Sequence, residues 1–124
     1  DSPGTVYARA FTGQEQRTAR LRAAVSGSPA AHLAARWAAK EAFIKAWSQA
    51  IYGRPPVISP DLVDFRDIEI HPDRWGRVGV EKRGAVAQAV ADSIGDVATS
   101  LSISHDGDYA IATCLVYSKD SSDW

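Results

Sequence analysis

The segment RWAAKEAFIKAWS, residues 36–48, has the apolar spacing of an α-helix but carries charges at unusual places. Counting about 100° per residue puts five large apolar residues within a stripe about 80° wide. They are Leu33, Trp37, Ile44, Trp47 and Ile51. Four alanines line the opposite side: Ala35, Ala39, Ala42 and Ala46. The pattern predicts a long helix from about residue 29 to 51, able to pack on two sides and stopped by the following Gly53 and Pro55.

The segments around this helix predict a mixed fold. Upstream, TGQE fits a capping box with Thr12 as N-cap and Glu15 reaching back, which predicts a short helix from about residue 13 to 24. Downstream, a loop over residues 53–66 leads to the strands DIEIHP and GRVGVEK, and residues 84–94 form a helix ended by Gly95. Alternating residues from 97 to 117 form a hairpin whose tight turn contains Asp106 and Gly107. We therefore predict one α+β domain over residues 1–124, with the long helix on a small antiparallel sheet.

Composition restricts the kind of protein. The chain has 124 residues, 45% of them hydrophobic, and a net charge of -1, which predicts a soluble domain with no general affinity for nucleic acid or membranes. A single cysteine excludes an internal disulfide and a cysteine-based zinc cluster. The sequence contains no apolar run of membrane length and no evident signal peptide, so a cytoplasmic location is expected.

Glu41 and Lys45 stand four residues apart between the two packing sides of the helix. As an ordinary helical ion pair they would contribute about 0.2–0.5 kcal/mol. The alternative is a site for phosphate and a divalent cation, in which a carboxylate holds the metal and a lysine neutralises phosphate oxygens. Lys40 falls inside the apolar stripe, where an unpaired charge is costly, and this setting favours the second interpretation.

Further candidate residues lie in the turns and in the first helix. His105, with Ser104 beside it, ends a strand at the hairpin tip, where it is either a turn residue or a phosphate contact. Gly76 in DRWGR is either a turn glycine or, with its neighbouring arginines, part of a phosphate-facing loop. Arginines surround the first helix against one acid, which indicates either a solvated face or a docking surface for an acidic partner. They are Arg9, Arg17, Arg20 and Arg22.

Two motifs together resemble those of a known family. RWAAKEAFIKAWS resembles the W/F-x-x-K-E-A-x-x-K-A signature of the 4′-phosphopantetheinyl transferases, and LSISHDGDYAIA resembles their S-x-S-H-x-x-x-Y-A hairpin. The PDRWGR turn and the FTGQE segment are similar to those of the small acyl-carrier-protein synthase type. The resemblance covers roughly residues 5 to 117, and the ordered pair of motifs is specific.

The resemblance implies transfer of 4′-phosphopantetheine from coenzyme A to a serine of apo acyl carrier protein, with Mg²⁺, in fatty acid biosynthesis. By motif position, Glu41 matches the metal ligand and Lys45 the lysine that contacts the transferred phosphate. Lys40 matches the other motif lysine, and His105 matches the histidine near the phosphate-bearing half of coenzyme A. Together with Lys45, and with Gly76 and Ser104 from their places in the turns, they are the residues predicted to bind coenzyme A.

The resemblance also implies a homotrimer with coenzyme A between neighbouring subunits. A second metal ligand, the aspartate of a G-x-D strand, has no match in this sequence, and we expect that strand upstream of Asp1. Two alternatives stay open. One is a module that binds coenzyme A or adenosine bisphosphate without turnover, and the other is the same transferase as a domain of a larger fatty acid synthase.

Overall fold

The computed structural model describes residues 9–26, 29–106 and 109–119. Within them, three α-helices and four strands confirm the α+β class. Their order is α1 (Gly13–Ser26), α2 (Pro29–Ala50), β1 (Ile68–Pro72), β2 (Val78–Lys82), α3 (Gly84–Ile94), β3 (Val97–Asp106) and β4 (Tyr109–Ser118). The loop after α2 contains two 3₁₀ turns, Pro60–Leu62 and Phe65–Asp67. No helix in the described ranges is both long and apolar enough to cross a membrane.

The capping box at the start of α1 forms as predicted. The Glu15 backbone N–H donates to Thr12 Oγ1 at 3.1 Å, and the Thr12 N–H donates to Glu15 Oε1 at 2.9 Å. Two of the otherwise unpaired donors at the helix start are thereby satisfied. The predicted start of α1 is confirmed, while its end lies two residues beyond the prediction, at Ser26.

Helix α2 is the centre of the fold, and it packs against α1, β1 and the β3–β4 hairpin. Its buried side differs from the predicted stripe. Trp37 is 37% exposed, whereas Lys40 and Phe43 are completely buried. The buried residues within α2 are Leu33, Ala35, Arg36, Ala39, Lys40, Phe43 and Trp47. The buried side is turned from the predicted stripe toward Arg36, Ala39 and Phe43. Lys40, which lies inside the stripe, is buried because its ammonium group has internal partners.

The described strands form two antiparallel pairs, β1 with β2 and β3 with β4. In the first pair Ile70 faces Val80, and in the second Leu101 faces Cys114. One side of each pair, together with α3, covers α2 around Phe43. The Trp47 indole N–H donates to Ser93 Oγ at 2.9 Å, which ties α2 to α3.

The β4 strand has two different faces. Ala112, Cys114 and Val116 pack against the core, whereas the alternate side chains point outward. The outward residues include Tyr109 at 76% exposure, Ile111 at 61%, Leu115 at 62% and Tyr117 at 46%. In this single chain, the hairpin therefore leaves one row of large apolar side chains uncovered.

One prediction falls outside the described residues, the tight turn at residues 107–108 between β3 and β4. Gly95, by contrast, lies inside them and ends α3 with a φ of +77°, a conformation that favours glycine.

Candidate active site

Glu41 and Lys45 lie one turn apart on α2, the first half-buried and the second exposed. Among the described residues, neither takes part in an ion pair, although seven such pairs form elsewhere. The helical ion pair considered from the sequence does not form. A carboxylate and an ammonium group are thus held on one helix without being neutralised by each other.

Trp37 stands one turn before Glu41 and forms part of an aromatic cluster. Its ring lies 4.5 Å from that of Phe65 and 6.5 Å from that of Phe11, centroid to centroid. The cluster borders a cavity of about 520 Å³. The cavity is lined by Arg9, Ala10, Phe11, Ala30, Leu33, Ala34, Trp37 and Phe65. An apolar recess on α2 therefore lies next to the turn that carries Glu41.

Lys40 does not belong to this open surface, and its prediction as a coenzyme A contact needs correction. Its Nζ atom is fully buried and donates to Glu15 Oε1 at 2.9 Å, to the Phe65 carbonyl at 2.7 Å and to the Ile68 carbonyl at 2.7 Å. Burial lowers the pKa of Lys40, and the Glu15 carboxylate opposes that change. An ammonium group has three donors, and all three are used inside the protein.

A group of basic side chains gathers where the start of α2 meets α1 and the end of β3. Burial is the largest cause of the lowered pKa of His32, followed by the neighbouring Arg36, Arg22 and His105. Arg36 is itself buried, and burial followed by the charge of Arg22 lowers its pKa against the raising effect of Glu15. Four cationic or titratable groups from three elements thus face one region, which suits an anionic ligand.

Gly76 is a turn residue, as one of the two interpretations proposed. It has a φ of +88°, and its N–H donates to the Asp73 carbonyl at 3.0 Å. The Asp73 carboxylate accepts hydrogen bonds from the Trp75 N–H and from Arg77, which fixes the turn between β1 and β2. A Cβ placed on Gly76 would lie 3.7 Å from the Arg22 guanidinium. The turn therefore comes close to the basic region.

Ser104 and His105 are exposed near the end of β3, opposite Ile111 and Ala110 of β4. His105 is close enough to His32 to influence its pKa. Glu41 is nine residues beyond His32, which corresponds to about 13 Å along the helix axis. Within one chain, the fold thus brings His105 to the basic region and places Glu41 further along α2.

The described residues offer Glu41 as an oxygen ligand for a hard divalent cation, and the chemistry fits, since its carboxylate has no competing ion pair among them. A second acidic group, Glu69 with His71 and Glu81, suits a metal poorly. Both Glu69 oxygens already accept hydrogen bonds, from Thr12 Oγ1 at 2.6 Å and from Arg83 at 2.9 Å.

The sequence interpretation did not find the roles of Glu15, His32 and Arg36. Glu15 was assigned only to the capping box, although it is also the counterion of Lys40. His32 and Arg36 precede the recognised motif, and only the fold brings them to Arg22. The one signal in the sequence was Lys40, a lysine on the apolar side of a helix that therefore needs a counterion. The sequence did not identify Glu15 as that counterion.

Comparison with known proteins assigns the family. A family model described as the 4′-phosphopantetheinyl transferase superfamily matches residues 1–114. Holo-[acyl-carrier-protein] synthase of Corynebacterium glutamicum is 55% identical over 114 residues, covering 92% of this chain and 83% of that protein. The enzyme of the same name from Mycobacterium tuberculosis is 47% identical over 116 residues, which cover 94% of this chain and 82% of that enzyme.

Solved structures agree. A structure described as the ACPS–CoA complex of Chronobacterium ammoniagenes is 59% identical, with a TM-score of 0.85 over 96% of this chain and 86% of that chain. A holo-(acyl-carrier-protein) synthase from Bacillus anthracis, described as a complex with CoA (3′,5′-ADP), is 28% identical. Its TM-score is 0.59, and the match covers 92% of this chain and 80% of that chain. The sequence resemblance is therefore confirmed, and this chain belongs to the 4′-phosphopantetheinyl transferase superfamily, alongside the holo-[acyl-carrier-protein] synthases.

Proposed function

We propose that Glu41 and Lys45 form the reacting end of a holo-[acyl-carrier-protein] synthase site. The chain transfers 4′-phosphopantetheine from coenzyme A to a serine hydroxyl of apo acyl carrier protein and releases adenosine 3′,5′-bisphosphate. The observation that carries the site assignment is the pair of oppositely charged side chains on α2, which the fold keeps unneutralised. Relatives that are 47–55% identical to this chain over the aligned residues bear the name of that activity.

The reaction is a displacement at phosphorus. The serine oxygen forms a bond to the phosphorus next to pantetheine, and the bond from that phosphorus to the bridging oxygen breaks. The serine proton passes to a base, either a carboxylate or a water molecule. Lys45 is exposed and has no ion-pair partner among the described residues, so its ammonium group is available to neutralise phosphate oxygens. Glu41 would hold Mg²⁺, which supplies charge neutralisation at the pyrophosphate when bound.

The basic region binds the rest of coenzyme A in this proposal. Arg22 and Arg36 provide positive charge for the phosphates of the nucleotide, and His32 and His105 bring imidazole rings, each with an N–H donor, to the same region. The Gly76 turn borders the same region, which supports its assignment to coenzyme A, whereas the assignment of Ser104 rests on its place beside His105 in β3. Trp37 lies between Arg36 and Glu41 along α2, and the aromatic recess around Trp37 provides an apolar wall beside the basic region.

Mass spectrometry tests the transfer directly. Apo acyl carrier protein incubated with coenzyme A, Mg²⁺ and the full-length chain should gain the mass of one phosphopantetheine group, and the gain should disappear when EDTA is added. Binding of coenzyme A without any mass gain would favour the non-catalytic module instead.

We further propose that the enzyme is a homotrimer in which neighbouring chains share each site. One observation supports the proposal: β4 leaves Ile111 and Leu115 uncovered. A closed ring would cover the apolar row and could bring His105 of one chain to Glu41 of another.

The exposed arginines of α1 are proposed to dock the acidic carrier protein. Changing Arg17 and Arg20 to glutamine should raise the KM for carrier protein about tenfold and flatten its dependence on salt, since both charges act on the partner's approach. The affinity for coenzyme A should stay unchanged. Steady-state kinetics at several ionic strengths, with calorimetry for coenzyme A, measures both quantities.

The variant Arg22→Gln separates the two roles proposed for the arginines of α1, which are docking of the carrier protein and binding of coenzyme A. Arg22 lies beside Gly76 and influences His32, so its loss should weaken coenzyme A binding as well. Lys119→Gln removes an exposed cation outside α1 and serves as the control. Equal losses for both substrates in the Arg17/Arg20 variant would contradict the docking role.

A further inference from the structure

The deepest charge in the described structure is an ion pair between α1 and α2. Lys40 has no exposed side-chain surface and Glu15 has 1%, and their charged atoms lie 2.9 Å apart. Neither group lines the candidate site, and neither is available to a ligand. A charge so completely removed from water needs every hydrogen bond satisfied, and here each one is.

The contacts of this pair join separate parts of the chain. The three acceptors of the Lys40 ammonium group belong to α1, to the 3₁₀ turn Phe65–Asp67 and to the start of β1. The other Glu15 oxygen accepts from the Ile70 N–H at 2.8 Å, in the middle of β1. A single ammonium group thus holds α2 against three segments, and its carboxylate partner holds α1 against β1.

This arrangement fixes how α2 is rotated. Glu41 follows Lys40 directly, so its side chain leaves the helix about 100° around the axis from that of Lys40. Because Lys40 is held from three directions, rotation or sliding of α2 would break at least one short hydrogen bond. The direction of Glu41 relative to the arginines of α1 is therefore set by the buried pair.

The network continues beyond the pair. Thr12 Oγ1, at the cap of α1, donates to Glu69 Oε2, and Glu69 Oε1 accepts from Arg83 at 2.9 Å. Glu15 and Glu69 thus attach the same end of α1 to β1 at two points.

Stability alone does not require an ion pair at this place. Well-packed apolar or neutral residues of similar volume often replace a buried pair at little cost, or with a gain in stability. Removing only one partner is different, because it leaves the other charge buried without compensation. The distinguishing property of the pair is directional, since an ammonium group with three fixed acceptors allows one orientation of the helix.

We propose that Glu15 and Lys40 are positioning residues for the transfer reaction. They hold the Glu41 carboxylate at a fixed angle and distance from the arginine-bearing helix, so that a bound carrier protein presents its serine to the reacting phosphate. The proposal rests on the transferase function above. Misplacement of a reacting group by about 1 Å can cost about a hundredfold in rate, so the effect falls on the chemical step.

The test is a paired variant, Glu15→Gln with Lys40→Met, which removes both charges and nearly keeps both volumes. We expect kcat at saturating substrates to fall at least about tenfold, while cooperative thermal unfolding is kept and the Kd for coenzyme A without Mg²⁺ changes less than about threefold. The matched control is Asp96→Asn with Lys119→Met, which removes an exposed pair, and its kcat should equal that of wild type.

Two results would overturn the proposal. One is a wild-type kcat in the paired variant, and the other is a loss of kcat that follows equal losses of thermal stability and coenzyme A affinity. Should the paired variant fail to fold, Glu15→Asp tests the same point, because it keeps the charge of the pair and shortens its reach. About a threefold fall in kcat is expected, and a wild-type value would contradict the proposal. Absence of transfer by the wild-type enzyme would instead refute the proposed function.

Discussion

Replacing Glu41 with glutamine should reduce Mg²⁺-dependent transfer by at least about a hundredfold, the effect of losing one essential electrostatic contact. The change keeps the shape of the side chain and removes its charge. Glu41 is half-buried and has no ion pair among the described residues, so folding should be little affected. Transfer rates measured at a series of Mg²⁺ concentrations, with thermal unfolding alongside, provide the check.

The control for this variant is Glu81→Gln. It makes the same chemical change at an exposed carboxylate on β2, outside the proposed site. Its transfer rate should stay within about twofold of wild type, the scale expected for a surface change. If Glu41→Gln turned over like wild type at low Mg²⁺, Glu41 would be an ordinary helix residue and the metal assignment would fail.

Placing a charge on the uncovered face of β4 should reduce transfer by a factor similar to that expected for Glu41→Gln. In Leu115→Glu, or in Ile111→Glu, a carboxylate would enter a contact built from large apolar side chains, where an unpaired charge is strongly disfavoured. We expect light scattering to show the mass of one 13.3 kDa chain in place of three. Transfer should fall by more than about a hundredfold, because the proposed site, which takes residues from two chains, would no longer be assembled.

Leu62→Glu is the matched control for assembly. Leu62 is 71% exposed, which is close to the 62% of Leu115, but it lies in the 3₁₀ turn Pro60–Leu62, away from the hairpin. It should keep both the trimer mass and the activity. A wild-type protein that is monomeric at micromolar concentration yet fully active would rule out the shared site.

Local sequence signals predicted the parts of the fold that depend on neighbouring residues. The capping box at Thr12, the stop at Gly95 and the alternation along β4 each act within a few residues, and all three are confirmed. The bounds of α2 were predicted within one residue for the same reason. Element identity in this chain is therefore largely a local property.

The candidate site was predicted less completely, because its character depends on distant partners. Lys40 matched a motif and was assigned to coenzyme A, whereas its counterion lies 25 residues away in α1. Helical periodicity places Lys40 on a side of the helix but contains no information on what faces that side. The same applies to Arg36 and His32, whose electrostatic environment arises only when Arg22 comes near.

The hydrogen bonds of Lys40 also bear on how the molecule opens. Its acceptors lie on segments 25 and 28 residues away, so α1 cannot separate from β1 without leaving a charge in the interior. Such a partly opened state is costly, and regions linked in this way exchange their amide hydrogens together rather than one by one. Helix α1, the centre of α2 and β1 should therefore form one cooperative unit, with the amide of Ile70 among its slowest to exchange.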